Sequence, residues 1–235
     1  DGSFKLWNRH GILIQDFKGD FYGANCMDFA PGGAAIISGC DRTLRWWTIN
    51  NTPLQEYTHD NQVSAVSFSP DGKFILTGSY DYKARLWDTA GKRVSEFKGH
   101  SSIITAAVFS PDGKSVLTGS WDNTMRMYKP DGTFIREFGG DIGIISSVAF
   151  SPDGKVVLWT VVDRSYRASM LEMKYEQGKW SAPYRPSFAD SSADDYYPSF
   201  SVDGKKLYFG SRRKAPPGYP EGRDMRIWEV EKNQD

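Results

Sequence analysis

A repeat of about 40 residues constrains this chain more than any other feature of its sequence. Residues 63–100 contain four short runs rich in β-branched and aromatic residues, separated by turns such as Ser69-Pro70-Asp71-Gly72. Such runs with tight connections predict four antiparallel strands in one small twisted sheet. Residues 101–140 repeat the pattern, and Pro70, Pro111 and Pro152 fall at a spacing of 41 residues. The repeat therefore predicts an all-β chain of several similar sheets, because one such sheet cannot bury both of its faces.

Two dipeptides in this period, Trp87-Asp88 and Gly99-His100, resemble those of the WD-repeat family. The resemblance implies a β-propeller of four-stranded antiparallel blades, with about five to six blades represented. Asp1–Trp7 matches Asp81–Trp87 position by position. We therefore expect that the chain begins inside a blade and is a fragment of a larger propeller. Whether the ring closes is left open.

The character of the sequence changes toward its end. The repeat that starts at residue 144 departs at Ala168–Met173, where Trp-Asp is expected, and residues 180–235 resemble the repeat of TolB-type propellers of bacterial envelopes. The matching residues are Tyr197-Pro198-Ser199-Phe200-Ser201, Asp203-Gly204-Lys205, Leu207-Tyr208-Phe209 and Asp224-Met225-Arg226-Ile227-Trp228. Val202 departs from the proline of that pattern, and the loop Arg213–Arg223 is long. We expect a single propeller over 1–235, with WD-type blades over 1–179 and a TolB-like blade over 180–235.

The charge of the chain limits which partners it can bind, and its cysteines bear on the cellular compartment. Lys and Arg number 29 and balance 29 Asp and Glu, so the chain has no electrostatic footprint for nucleic acid. The apolar runs are too short to insert into a membrane. Cys26 and Cys40 fall on neighbouring strands but not directly opposite each other, so we expect free thiols. Free thiols favour the cytoplasm, whereas the TolB resemblance points to the periplasm, and the localisation stays open.

Two of the three histidines are explained by the WD-repeat resemblance. It implies a buried hydrogen-bonded tetrad in each blade, formed by a loop His, a strand Ser or Thr, a hairpin Asp and a strand Trp. By motif match, the tetrad residues of two blades are His59, Thr77, Asp81 and Trp87, and His100, Thr118 and Asp122 with Tyr128 in place of Trp. A buried aspartate needs such partners because its desolvation is costly. We interpret these residues as structural and not as a nucleophilic triad.

The sequence offers no catalytic set, no metal set and no cofactor motif. Asp190, Asp194 and Asp195 could hold a cation, but a solvated turn is the preferred interpretation. Tyr80 and Trp121 each stand one residue before a hairpin aspartate, a position that the WD resemblance places on the top face near the central channel. They are candidates for partner contacts. The alternative, that each covers a neighbouring loop, is weighed evenly.

We therefore expect a non-enzymatic interaction scaffold that presents its top-face loops to a protein or peptide partner, without a cofactor. Two alternatives stay open. One is a periplasmic TolB-like propeller of the bacterial envelope, and the other is a propeller-type hydrolase with an unrecognised site. Fold alone does not choose among them.

Overall fold

The computed structural model describes residues 3–8, 10–18, 24–140, 143–189, 193–212 and 226–231. Every helix or strand assigned within these residues is a β-strand, and the strands follow the chain order through six antiparallel sheets. Sheet 1 consists of β1 (Ser3–Trp7) and β2 (Leu13–Lys18). Sheet 2 consists of β3 (Cys26–Phe29), β4 (Ala35–Cys40), β5 (Thr43–Thr48) and β6 (Pro53–Thr58). Sheet 3 consists of β7 (Val63–Phe68), β8 (Phe74–Ser79), β9 (Ala84–Asp88) and β10 (Arg93–Phe97).

The last three sheets continue this order. Sheet 4 consists of β11 (Ile104–Phe109), β12 (Val116–Ser120), β13 (Thr124–Tyr128) and β14 (Phe134–Gly139). Sheet 5 consists of β15 (Ile144–Phe150), β16 (Val156–Val162), β17 (Ala168–Glu176) and β18 (Lys179–Trp180). Sheet 6 consists of β19 (Asp195–Phe200), β20 (Lys206–Ser211) and β21 (Arg226–Glu231). The predicted fold class, all-β with four-stranded antiparallel blades of the β-propeller type, is confirmed.

The chain packs as two compact units. The first contains Asp1–Thr118 and Arg126–Arg136, and the second contains Gly119–Met125 and Glu137–Asp235. The core of the first unit includes a cluster around Leu76, Leu86 and Phe97, and that of the second a cluster around Leu158 and Leu207. The expectation of a single propeller over 1–235 stays a prediction. The described residues contain no apolar helix of membrane-spanning length.

One side-chain arrangement recurs at the first hairpin of four sheets and explains why Ser-x-Asp-Gly repeats. In sheet 3 the Ser69 hydroxyl donates to Asp71 Oδ1 (2.7 Å) and accepts from the Phe74 amide (2.9 Å). The same carboxylate oxygen accepts from the Lys73 amide (3.1 Å). The equivalent Ser–Asp distances elsewhere lie between 2.5 and 2.6 Å, for Ser110–Asp112, Ser151–Asp153 and Ser201–Asp203. Gly72 closes the turn at φ +70°, a conformation that favours glycine.

Strand register is also repeated. In sheet 3 a β-bulge shifts the pairing of β7 and β8 between Val63 and Ala65, and in sheet 5 the same shift falls between Ile145 and Ser147. A bulge increases the local twist of a strand pair and is a specified feature of the fold. The turn and the bulge therefore shape the first hairpin of sheets 3 and 5 in the same way.

Sheet 5 differs from the repeat in its second half. Strand β17 has nine residues, and the tight turn Gln177-Gly178, with φ of 50° and 82°, leads into the two-residue strand β18. Two successive positive φ angles are typical of a type I′ hairpin. The departure that the sequence shows at Ala168–Met173 therefore changes side chains but does not end the strand.

The two cysteines are free thiols, as predicted. Cys26 pairs with Gly39 across the sheet, and Cys40 is the next residue along β4. Successive side chains of a strand point to opposite faces, so the two sulfur atoms are not aligned for a bond. Burial raises the pKa of the Cys26 thiol to about 12.

Candidate functional site

The residues predicted to form the tetrad of sheet 3 lie in one buried cluster in the first unit. Trp87 Nε1 donates to Thr77 Oγ1 (3.0 Å), and the indole ring meets the His59 ring edge-on at 5.2 Å. Thr77 Oγ1 also donates to the carbonyl of Arg85 (3.3 Å). Trp87 and Thr77 are therefore joined as the motif implies, across the paired strands β8 and β9.

Arg85, which is not a tetrad residue of the motif, lies between His59 and Asp81 and contacts both. Its guanidinium is 2.7 Å from Asp81 Oδ2 and 3.2 Å from His59 Nδ1, and the residue is only 2% exposed. Asp60 and Glu96 carboxylates approach it at 3.1 and 3.6 Å. A guanidinium offers several donors in a fixed plane, so it can serve more acceptors than an imidazole.

His59 is held neutral by this arrangement. Burial and the nearby Arg85 charge lower its pKa to about 4, so Nδ1 accepts from Arg85 and Nε2 carries the proton. Nε2 is buried and makes no hydrogen bond with another residue that the structure describes. Desolvation opposes the ionised form of Asp81, yet the hydrogen bond from Arg85 and its charge leave the pKa of that carboxyl lowered. The Nδ1 atom that could act as a base is occupied by the Arg85 guanidinium, which supports the structural interpretation of the cluster.

Sheet 4 carries a variation of the tetrad. His100 Nε2 and Thr118 Oγ1 are 2.8 Å apart, while the Tyr128 hydroxyl donates to the carbonyl of Lys98 (3.0 Å) instead of to the threonine. Asp122 belongs to the second unit, where its Oδ1 accepts from the amide and the hydroxyl of Thr124. The role of both tetrads in holding the blades stays a prediction.

Sheet 5 has no such polar set at the equivalent positions of β16 and β17. Counting from the Ser-Pro-Asp-Gly turns, Trp159 takes the place of Thr77, and its cross-strand partner Leu171 takes the place of Arg85. Trp159 is the largest fully buried side chain among the described residues. An indole and an isobutyl group thus fill space that polar groups fill in sheet 3.

The two candidate contact residues are placed differently. Tyr80, in the first unit, is half-buried, and its amide donates to the Gln62 carbonyl (2.9 Å). Its neighbour Tyr82 is more exposed and has φ +69°. Trp121, in the second unit, is 46% exposed and lines an open groove. Tyr80 and Trp121 thus belong to different units.

The groove beside Trp121 has a volume of about 940 Å³ and lies within the second unit. Its walls are the hairpin turn at Trp121–Asn123 and the longer hairpin turn that follows β16, where Tyr166 is 84% exposed. Ligand pockets are typically concave sites of this size with a few aromatic groups. This groove is the best candidate functional site among the described residues.

Two glycines let the chain run along the groove. A Cβ atom at Gly139 would lie 2.7 Å from the Asn123 carbonyl oxygen, and one at Gly143 would lie 2.5 Å from that of Val162. Both residues also have positive φ angles. Glycine at these two positions therefore allows the backbone to approach the two hairpin turns closely.

The two charged residues among the described lining of the groove differ in their hydrogen bonds. Asp163 Oδ1 accepts from the amides of Ser165 and Arg167, at 2.8 and 3.0 Å, and so holds the turn that carries Tyr166. Arg164 lines the groove and makes no ion pair or hydrogen bond with another described residue. The groove thus combines two exposed aromatic rings with an available positive charge.

The aspartates at the start of β19 accept hydrogen bonds from other residues of the fold. Asp195 is buried, and Ser211 donates to its Oδ1 (2.5 Å), while Asp194 Oδ1 accepts from the Ala168 amide (3.0 Å). The interpretation of Asp195 as part of a solvated turn is wrong, because β19 begins at this residue and buries it. Asp190 lies outside the described residues, among which no group of three or more potential metal ligands is found.

Sequence reasoning identified Trp121 but missed Tyr82 and Tyr166. Both tyrosines adopt positive φ angles in the turns that follow a hairpin aspartate. A large residue at such a position is uncommon, and its side chain has no strand neighbour to pack against. The sequence signal for an exposed aromatic residue was therefore present after the hairpin aspartates as well as directly before them.

Blade-like four-stranded sheets with repeated turns and buried polar clusters define this chain as a repeat protein of the β-propeller class. The family model described as "WD domain, G-beta repeat" matches residues 11–48, 51–88 and 91–129. Three successive segments of the chain are therefore similar to the WD repeat. Each match begins with the outer strand of one sheet and ends with the third strand of the next, as β6 to β9 show for 51–88.

Among curated relatives, the chain is similar to Protein groucho of Drosophila melanogaster, with 31% identity over 81 residues. The aligned part is 33% of this chain and 11% of the relative, so the chain spans about a tenth of that protein's length. The family matches end at residue 129. The TolB-like character of 180–235 and a bacterial origin therefore stay predictions.

Proposed function

We propose that this chain is a non-enzymatic protein-interaction scaffold, which binds a peptide segment of its partner in the groove lined by Trp121 and Tyr166. The observation that carries the proposal is the exposure of these two aromatic rings on turns held by their own hydrogen bonds. Tryptophan, tyrosine and arginine are the residues that most often dominate binding energy at protein interfaces. The WD-repeat matches support the same function, since such propellers typically present loops to partners.

Arg164 indicates which segments the groove would favour. Its guanidinium has no carboxylate partner among the described residues, so a carboxylate of the ligand would provide one. The aromatic rings would contact an apolar side chain beside that carboxylate. The partner segment is therefore expected to combine an acidic residue with an apolar one.

Affinity capture with the purified chain, followed by titration of the captured partner, tests this proposal. Trp121→Ala and Tyr166→Ala are each expected to weaken the measured affinity by about tenfold or more, without changing the melting temperature. Tyr175→Ala, which removes an exposed tyrosine of β17 outside the groove, is the matched control.

Tyr80→Ala tests the other candidate contact in the same titration. A loss comparable to that of Trp121→Ala would include the Tyr80 turn in the binding surface. If Trp121→Ala and Tyr166→Ala both bind the partner like the parent, the groove is not the interaction site. An Arg164→Ala variant whose affinity and salt dependence equal those of the parent would contradict the acidic character of the segment.

A further inference from the structure

A carboxylate occupies a core position of sheet 5. In sheet 3 Leu76 pairs with Leu86, and both are fully buried; the equivalent pair of sheet 5 is Leu158 and Glu172. Glu172 remains only 7% exposed. Charged residues are rarely buried to this degree unless they are paired. The repeat pattern therefore does not explain why a carboxylate is buried at this position.

The partners of Glu172 compensate only part of its charge. The Tyr184 hydroxyl donates to Oε1, and the backbones of the two residues pair as an isolated β-bridge. Lys174 Nζ is 3.8 Å from the same oxygen, beyond hydrogen-bond distance, and its side chain is half-exposed. Oε2 makes no hydrogen bond with a described residue. One oxygen of a nearly buried carboxylate is thus available.

Glu172 lines a cleft of about 520 Å³ inside the second unit. Phe188 and Leu207 contribute apolar walls, and the charged residues of the lining are Glu172, Glu231 and Lys174. Two carboxylates against one ammonium leave the cleft with a net negative charge. Apolar walls with a small number of charged or polar groups are typical of small-molecule sites.

We propose that this cleft binds a small amphiphilic amine, whose ammonium group pairs with Glu172 while its hydrocarbon body packs against Phe188 and Leu207. In the structure, Lys174 is the cation nearest to the Glu172 carboxylate. Its Nζ lies 6.0 Å from the centre of the Tyr184 ring, in the place where the ligand ammonium would meet both the ring and the carboxylate. Its half-exposed side chain can turn to solvent when the ligand binds. This site is separate from the Trp121 groove and does not rest on the proposed scaffold function.

Calorimetric titration of the full chain with three matched probes tests the charge preference. The probes are 2-phenylethylamine, the neutral 2-phenylethanol and the anionic 3-phenylpropionate, which share an aromatic body. The amine is expected to bind about tenfold more tightly than the alcohol, because a charge-assisted hydrogen bond exceeds a neutral one, and the anion is expected not to bind. Equal affinities for amine and alcohol, or no binding of the amine, would overturn the proposal.

Three variants test whether the preference for the amine over the alcohol arises in this cleft. Glu172→Gln keeps an acceptor for the Tyr184 hydroxyl but removes the charge, so the amine should lose its advantage over the alcohol. Lys174→Met should tighten amine binding about threefold, because it removes the competing cation. Lys179→Met, an exposed lysine of β18 outside the cleft lining, is the control and should change nothing.

Tyr184→Phe keeps the test decisive if Glu172→Gln fails to fold. It retains the ring and releases Oε1, so amine binding should persist or strengthen. Loss of amine binding in Tyr184→Phe, or amine affinity that is unchanged in Lys174→Met, would contradict the proposal.

Discussion

Sheets 3 and 5 begin alike and end differently. Both start with the same Ser-Pro-Asp-Gly turn, the same hydroxyl–carboxylate bond and the same bulge in the first strand pair. In the second strand pair, sheet 3 pairs the buried Thr77 with the buried Arg85, whereas sheet 5 pairs the buried Trp159 with the half-buried Leu171. The two sheets therefore share the geometry of the first hairpin, whereas the side chains of the second strand pair are polar in one sheet and apolar in the other.

This difference agrees with the general energetics of buried ion pairs. Replacing such a pair by well-packed apolar residues is often neutral or stabilising, whereas removing one partner alone is strongly destabilising. Sheet 3 should consequently be sensitive to single substitutions in its polar cluster. Sheet 5 should respond as an ordinary hydrophobic core.

The largest effect is expected for Trp87→Ala. The change removes a buried indole that contacts the Tyr57 and His59 rings and bonds to Thr77, and it should lower the free energy of unfolding by about 3–5 kcal/mol. Trp87→Phe, which keeps a ring but loses the hydrogen bond, should have a smaller effect, about 1–2 kcal/mol. Urea denaturation measures both, and equal losses would show that the hydrogen bond alone carries the stability.

Arg85→Leu introduces the residue type of sheet 5 without its surroundings. It leaves the Asp81 and Glu96 carboxylates without their buried cation, and since these carboxylates are partly solvated we expect a loss of about 3 kcal/mol. Arg93→Leu removes an exposed partner of Glu96 and should change stability by less than about 0.5 kcal/mol. If Arg85→Leu unfolds like the control, the cluster does not stabilise sheet 3.

Acid should act on sheet 3 through His59. Its pKa falls from about 6.5 in the unfolded chain to about 4 in the fold, so the unfolded state binds more protons between these values. The His59 contribution is present in full above pH 6.5 and is lost as the pH falls, by about 2 kcal/mol at pH 5. Denaturation of the parent and of His59→Gln at pH 7.5 and 5 measures this. A variant as pH-dependent as the parent would refute the assignment.

The smallest effect should be shared by both sheets. Ser69→Ala and Ser151→Ala each remove the hydroxyl that caps the first turn, and each should cost about 1 kcal/mol. Because the two turns have the same hydrogen bonds, their losses should agree within about 0.5 kcal/mol. Clearly unequal losses would mean that the two first hairpins are not equivalent.

The turns and strands of sheet 3 could be predicted from the sequence because their signals are local. A Ser-Pro-Asp-Gly turn and alternating β-branched residues determine the hairpin within a few positions, and the four strands predicted within residues 63–100 are β7 to β10. The insertion of Arg85 between His59 and Asp81 could not be predicted in this way. It depends on the direction of a long side chain and on the depth at which it is buried.

For the same reason, the candidate site could be predicted from the sequence only in part. Trp121 follows from the repeat position, but the groove also requires Tyr166 on a longer hairpin turn and two glycines that pass close to carbonyl groups. The cleft around Glu172 depends on cross-strand pairing between β16 and β17, which the departure from the repeat obscured. Pairing across strands decides both sites, and single-sequence patterns report it poorly.

The phase difference between repeat and sheet has a consequence for how such chains change in length. The segment 51–88 begins with β6, whose hydrogen-bonded partner β5 lies in the preceding repeat. Duplication of one sequence repeat therefore adds an outer strand, which completes the preceding sheet. It also adds three inner strands, whose own outer strand comes from the repeat that follows. Copy number can grow by whole repeats without leaving an unmatched junction inside the array. A cut between repeats, in contrast, separates a sheet from its own outer strand, so an excised repeat is an inheritable unit but not a folding unit.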